Sequence, residues 1–297
     1  IFIERGQVII SQSIFTNNYC SLGTAIYILN NDGDLTINDN SKFINNINPD
    51  KLTNKQYAIE SLSENIHIIN TEFIIELETQ EESTYEYQCG FIHLSNSNRI
   101  EIKDSIFNNK NFRSSIFYEM KEKSGSKENL FNIEGCNFKE CLTDVINIAT
   151  PTESYETISI TNCQFNDWKN RDTKPSNTIQ ISQISNCINL KIEDNIFNNC
   201  GTSADYNFVI NINLDRATDN LDEILIRNNT INFDNINNGC NGIRFVQENR
   251  DINIMNCSFI HCHQTTRATP WENCLSFNKF KEVKIIECQF YDCGAHL

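Results

Sequence analysis

The chain has 297 residues and a formal net charge of −15, with a sequence pI of about 4.8. An acidic balance of this size excludes a phosphate-tracking nucleic-acid binder, which needs a basic stripe; it is compatible with cation binding or with simple solubility. Hydrophobic residues make up 39%, enough for a core, and no run reaches the ~18 apolar residues of a membrane span. A mean hydropathy of −0.43, with abundant Asn and Ile, indicates short buried strips between polar turns. The chain opens at Ile1 without a charged n-region or an apolar h-region and closes on "DCGAHL". It is expected to be a segment of a longer or processed protein, so the lack of a leader carries no weight.

In chain order the strongest signal is an internal repeat. "VIISQSIFTNN", "LTINDNSKFINN", "IHIINTEFIIE", "IEIKDSIFNNK", "FNIEGCNFKEC", "ISITNCQFNDW", "LKIEDNIFNNC", "ILIRNNTINFD", "INIMNCSFIHC" and "VKIIECQFYDC" align on Phe15, Phe43, Phe73, Phe107, Phe138, Phe165, Phe197, Ile231, Phe259 and Phe290. Aliphatic residues stand seven and five positions before nearly every anchor, the period-two pattern of a strand with one buried face. Leu35 and Ile37 lie one residue too far from Phe43, which predicts a one-residue bulge. A further apolar strip follows most anchors at variable distance, for example "AIYI" at 25–28, "VINI" at 145–148 and "GIRF" at 242–245.

Only 10 glycines and 4 prolines are present, too few for a meander of tight hairpins, and helical periodicity is missing. Three short strands in each repeat of about 31 residues predict an all-β fold, a right-handed single-stranded parallel β-helix of about ten coils. Residues 1–297 are expected to form one such domain.

Three columns run along this repeat. The position before the first cysteine of "NCSFIHC" reads Gln12, Asn40, Asn70, Asp104, Gly135, Asn162, Asp194, Asn228, Asn256, Glu287. It suits a corner in the left-handed backbone region. The next column, Ser13, Ser41, Thr71, Ser105, Cys136, Cys163, Asn195, Asn229, Cys257, Cys288, is small and weakly polar, as an inward corner requires. The column three after the anchor holds Cys141, Cys200, Cys262 and Cys293 among other residues. The recurring cysteines therefore have a packing cause. His261, Cys262 and His263 are the metal candidates, but cysteines four residues apart around an inward Phe should face different parts of the coil, so no metal or other cofactor is expected. Thirteen cysteines is an odd number. Same-column neighbours such as Cys257 and Cys288 are expected to stack as thiols, because in-register side chains hold Cβ atoms too far apart for a disulfide. Loop disulfides are expected instead from Cys89, Cys187, Cys240 or Cys274.

"FTNN" after Ser13–Ile14, "FINN" at 43–46 and "LGTAI" at 22–26 resemble the FxxN and GGA[ILV] repeats of the polymorphic outer membrane protein family. Asn18 and Asn46 fit the first motif, and Gly23-Thr24-Ala25-Ile26 is the good match to the second; other coils shift the Asn or place cysteine there. The resemblance implies a surface-exposed β-helix with adhesive or immune-facing roles, closest in style to Asn- and Cys-rich relatives on microbial eukaryotes. A wider similarity to pectate-lyase-like helices implies the possibility of carbohydrate cleavage.

For catalysis, the outward stripe Lys103, Glu134, Thr161, Glu193, Arg227 offers the pair Glu134 and Glu193, two coils and roughly 10 Å apart, near the upper end of an inverting glycosidase. The simpler reading is a solvated face of alternating charges. Trp168, Trp271, Phe112 and Tyr206 fall in post-anchor loops, where aromatics could stack on sugar or dock a protein. The acidic stretch 76–87 is expected to be a solvated insertion, and 213–223 lacks the spacing of a calcium loop. Asn228 and Asn256 sit in N-glycosylation sequons. The expected role is a non-catalytic surface or extracellular scaffold with a protein or glycan partner. A carbohydrate-active enzyme or sugar-binding rod, and an intracellular scaffold of a large assembly, are the alternatives.

Overall fold

A computed structural model describes residues 1–18, 25–29, 33–46, 56–76, 89–109, 115–119, 130–140, 144–149, 154–167, 177–182, 186–200, 208–213, 223–233, 241–246, 251–262, 274–278 and 280–293. These build a parallel β-solenoid: three sheets of ten strands each, every strand bonded to its counterparts one coil before and one coil after. Sheet A contains the strands that follow the loops, such as Ile26–Ile28 and Asn241–Val246. Sheet B contains the period-two strands, such as Arg99–Lys103 and Leu130–Glu134. Sheet C contains the three-residue anchor strands, such as Gln164–Asn166. Among the described residues no helix is long and apolar enough to cross a membrane.

The anchors pair in register from coil to coil, Phe15 with Phe43 through Phe138 with Phe165. Their rings stack at 4.8 Å for Phe15–Phe43, 4.9 Å for Phe73–Phe107 and Phe138–Phe165, and 4.7 Å for Phe165–Phe197. That spacing is the strand separation itself, so backbone pairing and ring stacking enforce one another. Ile231 interrupts the run of rings but keeps the buried anchor position, paired with Phe197 and Phe259. Sheet B adds Ile66, Ile100, Phe131, Ile158, Leu190 and Ile224 to the same core.

The corner between sheets B and C is built as the columns predict. All ten residues from Gln12 to Glu287 have positive φ, among them Asn70 at 52°, Asp194 at 58° and Gly135 at 65°. A side chain at Gly135 would also strike Asp104, whose Oδ1 lies 2.5 Å from where a Cβ would stand. The second coil does not bulge within its strand. Leu35 and Ile37 pair normally with Val8 and Ile10; the extra residue is absorbed in the turn, where Asp39 and Asn40 are both left-handed.

A second left-handed corner follows sheet C, at Asn17, Asn45, Glu140, Asp167, Asn199, His261 and Asp292. In the remaining coils the same position holds Ile75, Asn109 and Phe233, all buried.

The small residues of the inward column close the first corner's backbone hydrogen bonds. The Ser105 hydroxyl donates to the Lys103 carbonyl oxygen at 2.8 Å, and the Cys163 and Cys257 thiols donate to the carbonyls two residues earlier, both at 3.3 Å. Asn195 and Asn229 take over in the middle of the rod. The Asn229 Oδ1 accepts from both the backbone N and the Nδ2 of Asn195, at 3.1 and 3.0 Å, and the Asn229 Nδ2 donates to Ile192 O at 2.7 Å. Ser, Thr, Cys and Asn are interchangeable there because each can serve a corner carbonyl from a short stem.

Two outcomes follow. Phe165→Ala should lower stability by about 3–5 kcal/mol in urea unfolding, since rings on both sides hold the cavity open; Phe15→Ala, in the partly exposed first coil, should cost less than half of that. Burial pushes the Cys257 thiol up from 9.0 to about 11. The unfolded chain therefore loses this proton first as pH climbs, so the contribution is intact below about pH 9 and lost towards pH 11, amounting to about 2–3 kcal/mol. Cys257→Ser, a residue the column already uses, should flatten that part of an alkaline stability profile.

Candidate functional site

Sheet B brings the proposed carboxylates onto one outward line. Glu134 lies beside Thr161 and Thr161 beside Glu193 in strict register. Each carboxylate already has a cation: Lys103 Nζ lies 3.3 Å from Glu134, and Arg227 Nη2 lies 3.0 Å from Glu193. The Glu134 side chain is 43% exposed and that of Glu193 only 12%. In the neighbouring outward row, two residues earlier in the strand, Glu101 is met by His67 and by Arg99. Burial works against ionisation of Glu101, but the Arg99 hydrogen bond and the Arg99 and His67 charges hold its carboxyl below the ordinary range. The arrangement is a ladder of matched charges along a strand face.

Asn228 and Asn256 are exposed at left-handed corners; the Asn228 amide donates to Asp194 at 2.8 Å. Trp168, Trp271, Phe112, Tyr206 and His263 lie outside the described residues, as do Cys141 and Cys240; Cys89 and Cys187 fall in strands, their side chains undescribed.

His261 turns away from its neighbouring cysteine. Its Nδ1 donates to the Phe233 carbonyl oxygen at 2.9 Å, and its Nε2 faces Asp292 at 3.8 Å. Cys257 and Cys262 occupy different corners, as the spacing predicts. The eight described cysteines carry thiols rather than disulfides, Cys274 among them.

Cys262 instead meets Cys293, its neighbour in the same column, and Cys274, which column counting does not reach. Its Sγ and those of Cys274 and Cys293 all lie within 4.8 Å of one another. Cys262 and Cys293 follow consecutive anchors, Phe259 and Phe290. Cys274 stands at the corner entering sheet A, in the row of Ala25, Ala58, Phe91, Ser115, Val145, Thr178, Val209 and Gly242. This row faces the post-anchor corner, and Gly242 gives it room: a Cβ there would lie 2.3 Å from the Cys274 carbonyl oxygen and 3.4 Å from the Phe259 ring. Hydrogen bonds from Cys262 and then Cys274 hold the Cys293 thiol down, to about 3. Burial, followed by the bonds to the other two thiols, pushes Cys262 up.

A second cluster that periodicity does not reveal lies on sheet A. Buried His93 sits 3.4 Å from Glu60 through Nδ1 and 3.7 Å from Glu119 through Nε2, between the rings of Tyr57 and Phe117. Ser95 Oγ approaches Nε2 at 3.4 Å. The order Ser–His–Glu has the form of a nucleophile and its base. Ser95 and His93 are both buried, however, and the Nδ1–Glu60 approach lacks hydrogen-bond alignment. The cluster ties together the outward columns of three coils.

Comparison with known proteins yields no match to any protein family, curated protein or solved structure.

Arg227→Ala should destabilise the protein by about 1–3 kcal/mol, because it strands the enclosed Glu193 carboxylate. Lys103→Ala, beside the more exposed Glu134, should cost less than about 1 kcal/mol. Urea titrations of the two variants would separate these outcomes.

Proposed function

We propose that this protein is a non-catalytic scaffold on a surface or outside the cell, which presents its long faces to a protein or glycan partner. The observation that supports this reading most directly is the state of Glu134 and Glu193. The pair singled out for sugar-cleaving chemistry is engaged by Lys103 and Arg227 along a regular strand face. General acid catalysis needs one carboxyl kept protonated by burial or a like charge; here the nearest charges are cations. The resemblance to polymorphic outer membrane proteins in the first two coils agrees with this reading, as does a solenoid whose faces repeat at one spacing over ten strands. On this reading the pectate-lyase-like similarity extends to architecture and not to activity.

An intracellular scaffold is the second reading, favoured by the eight described cysteines that carry thiols, since reduced cysteines are typical of reducing compartments.

Antibody labelling of intact source cells, paired with a turnover assay on pectin-like and neutral polysaccharides with and without calcium, tests these readings. Labelling without permeabilisation and no new reducing ends or unsaturated products are expected. Labelling only after permeabilisation would transfer the protein to the intracellular reading. Products lost in Glu134→Gln or Glu193→Gln would make it an enzyme.

A further inference from the structure

We propose that Cys262, Cys274 and Cys293 form a three-thiolate site for a soft, thiophilic metal ion. Three sulfurs within 4.8 Å of one another have a common centre at most about 2.8 Å from each, and closing to the roughly 2.3 Å of a zinc–thiolate bond needs shifts of only about half an ångström. Sulfur-only donors select zinc or copper(I) over calcium and magnesium, which take oxygen ligands. No fourth His, Cys, Asp or Glu joins the group among the described residues. Copper(I) can be held by the three sulfurs alone, whereas zinc would complete its tetrahedron with water or a small anion.

The placement gives the site a structural consequence. Cys262 and Cys274 are the two described residues that bracket the segment 263–273, and Cys293 belongs to the following coil. A metal bound to all three would tie Cys262 to Cys274 across that segment and join two coils at the corner between sheets C and A. Cys262 is buried, while Cys274 and Cys293 are partly exposed, so an ion has a way in. Gly242 belongs to the same design, because any side chain there would displace Cys274. Binding would release thiol protons to solvent and involves no redox step.

The test starts from the fully reduced protein with all 13 cysteines confirmed as thiols. Cobalt(II), as a reporter for zinc, is titrated in one arm, and copper(I) buffered by a chromophoric chelator in the other. At one equivalent cobalt(II) should give thiolate charge-transfer absorption with the intense visible bands of a tetrahedral site, displaced by zinc. Copper(I) alone binding stoichiometrically would assign the three-coordinate form. Cys274→Ser should weaken binding about 100-fold or more, whereas Cys163→Ser, in a distant corner, should leave it unchanged.

Metal-protected alkylation of the unsubstituted protein, read by peptide mass mapping, needs no variant to fold. Cys262, Cys274 and Cys293 should be shielded together. The absence of stoichiometric binding in both arms, retention of full affinity in Cys274→Ser, or protection of other cysteines in place of these three would overturn the site.

Discussion

Each strand of this protein finds its hydrogen-bond partners one coil away, and that single constraint organises the rest. A coil cannot bury its inner face against itself, so it depends on the coils on either side. Strict register makes each repeat position into a row of like residues at the inter-strand distance. At that spacing phenylalanine rings stack almost face to face, with interplanar angles of 1° for Phe73–Phe107 and 5° for Phe165–Phe197. The same geometry lets an Asn amide reach the backbone N of the coil before it, as Asn195 does for Cys163 at 2.8 Å. Side chains and main chain read the same repeat distance.

The corners carry the second half of the design. A chain that turns sharply between short strands needs a left-handed residue, and Asn or Asp tolerates that conformation at low cost. This explains why Asn dominates while glycine is scarce. It also explains where cysteine appears. In the corner rows it is a small group that donates weakly to a carbonyl, standing where Ser and Thr stand in other coils. Among the described residues, three thiols gather where the corner before sheet A also supplies one.

These two parts of the structure differ in how far they can be read from the amino acids. The anchors, the two aliphatics before them and the first left-handed corner keep fixed distances in sequence, so counting from Phe107 or Phe165 reaches them directly. The extra residue at Asp39–Asn40 disturbs the count, and counting alone does not tell a widened turn from a bulged strand. The second corner is obscured because Ile75, Asn109 and Phe233 break its pattern by pointing inward. Cys274 is harder still. The segment between an anchor and the next strand of sheet A varies in length from coil to coil, so its row cannot be assigned by spacing, and its approach to Cys262 and Cys293 is purely spatial. His93 lies between Glu60 and Glu119 for the same reason: three strands with differently sized loops before them come into register only in the folded chain.

The inter-coil bonds of all three sheets run along the length of the solenoid, and this gives the molecule a directional mechanical character. A force applied lengthwise at one end meets few of these bonds at once, because the outermost coil can peel from its neighbour strand by strand. Each coil released would pay out about 31 residues, on the order of 100 Å of extended chain, before the next begins to yield. A sideways load would have to shear many rows together. Such a body resists bending and transverse stress while extending in regular, coil-sized steps.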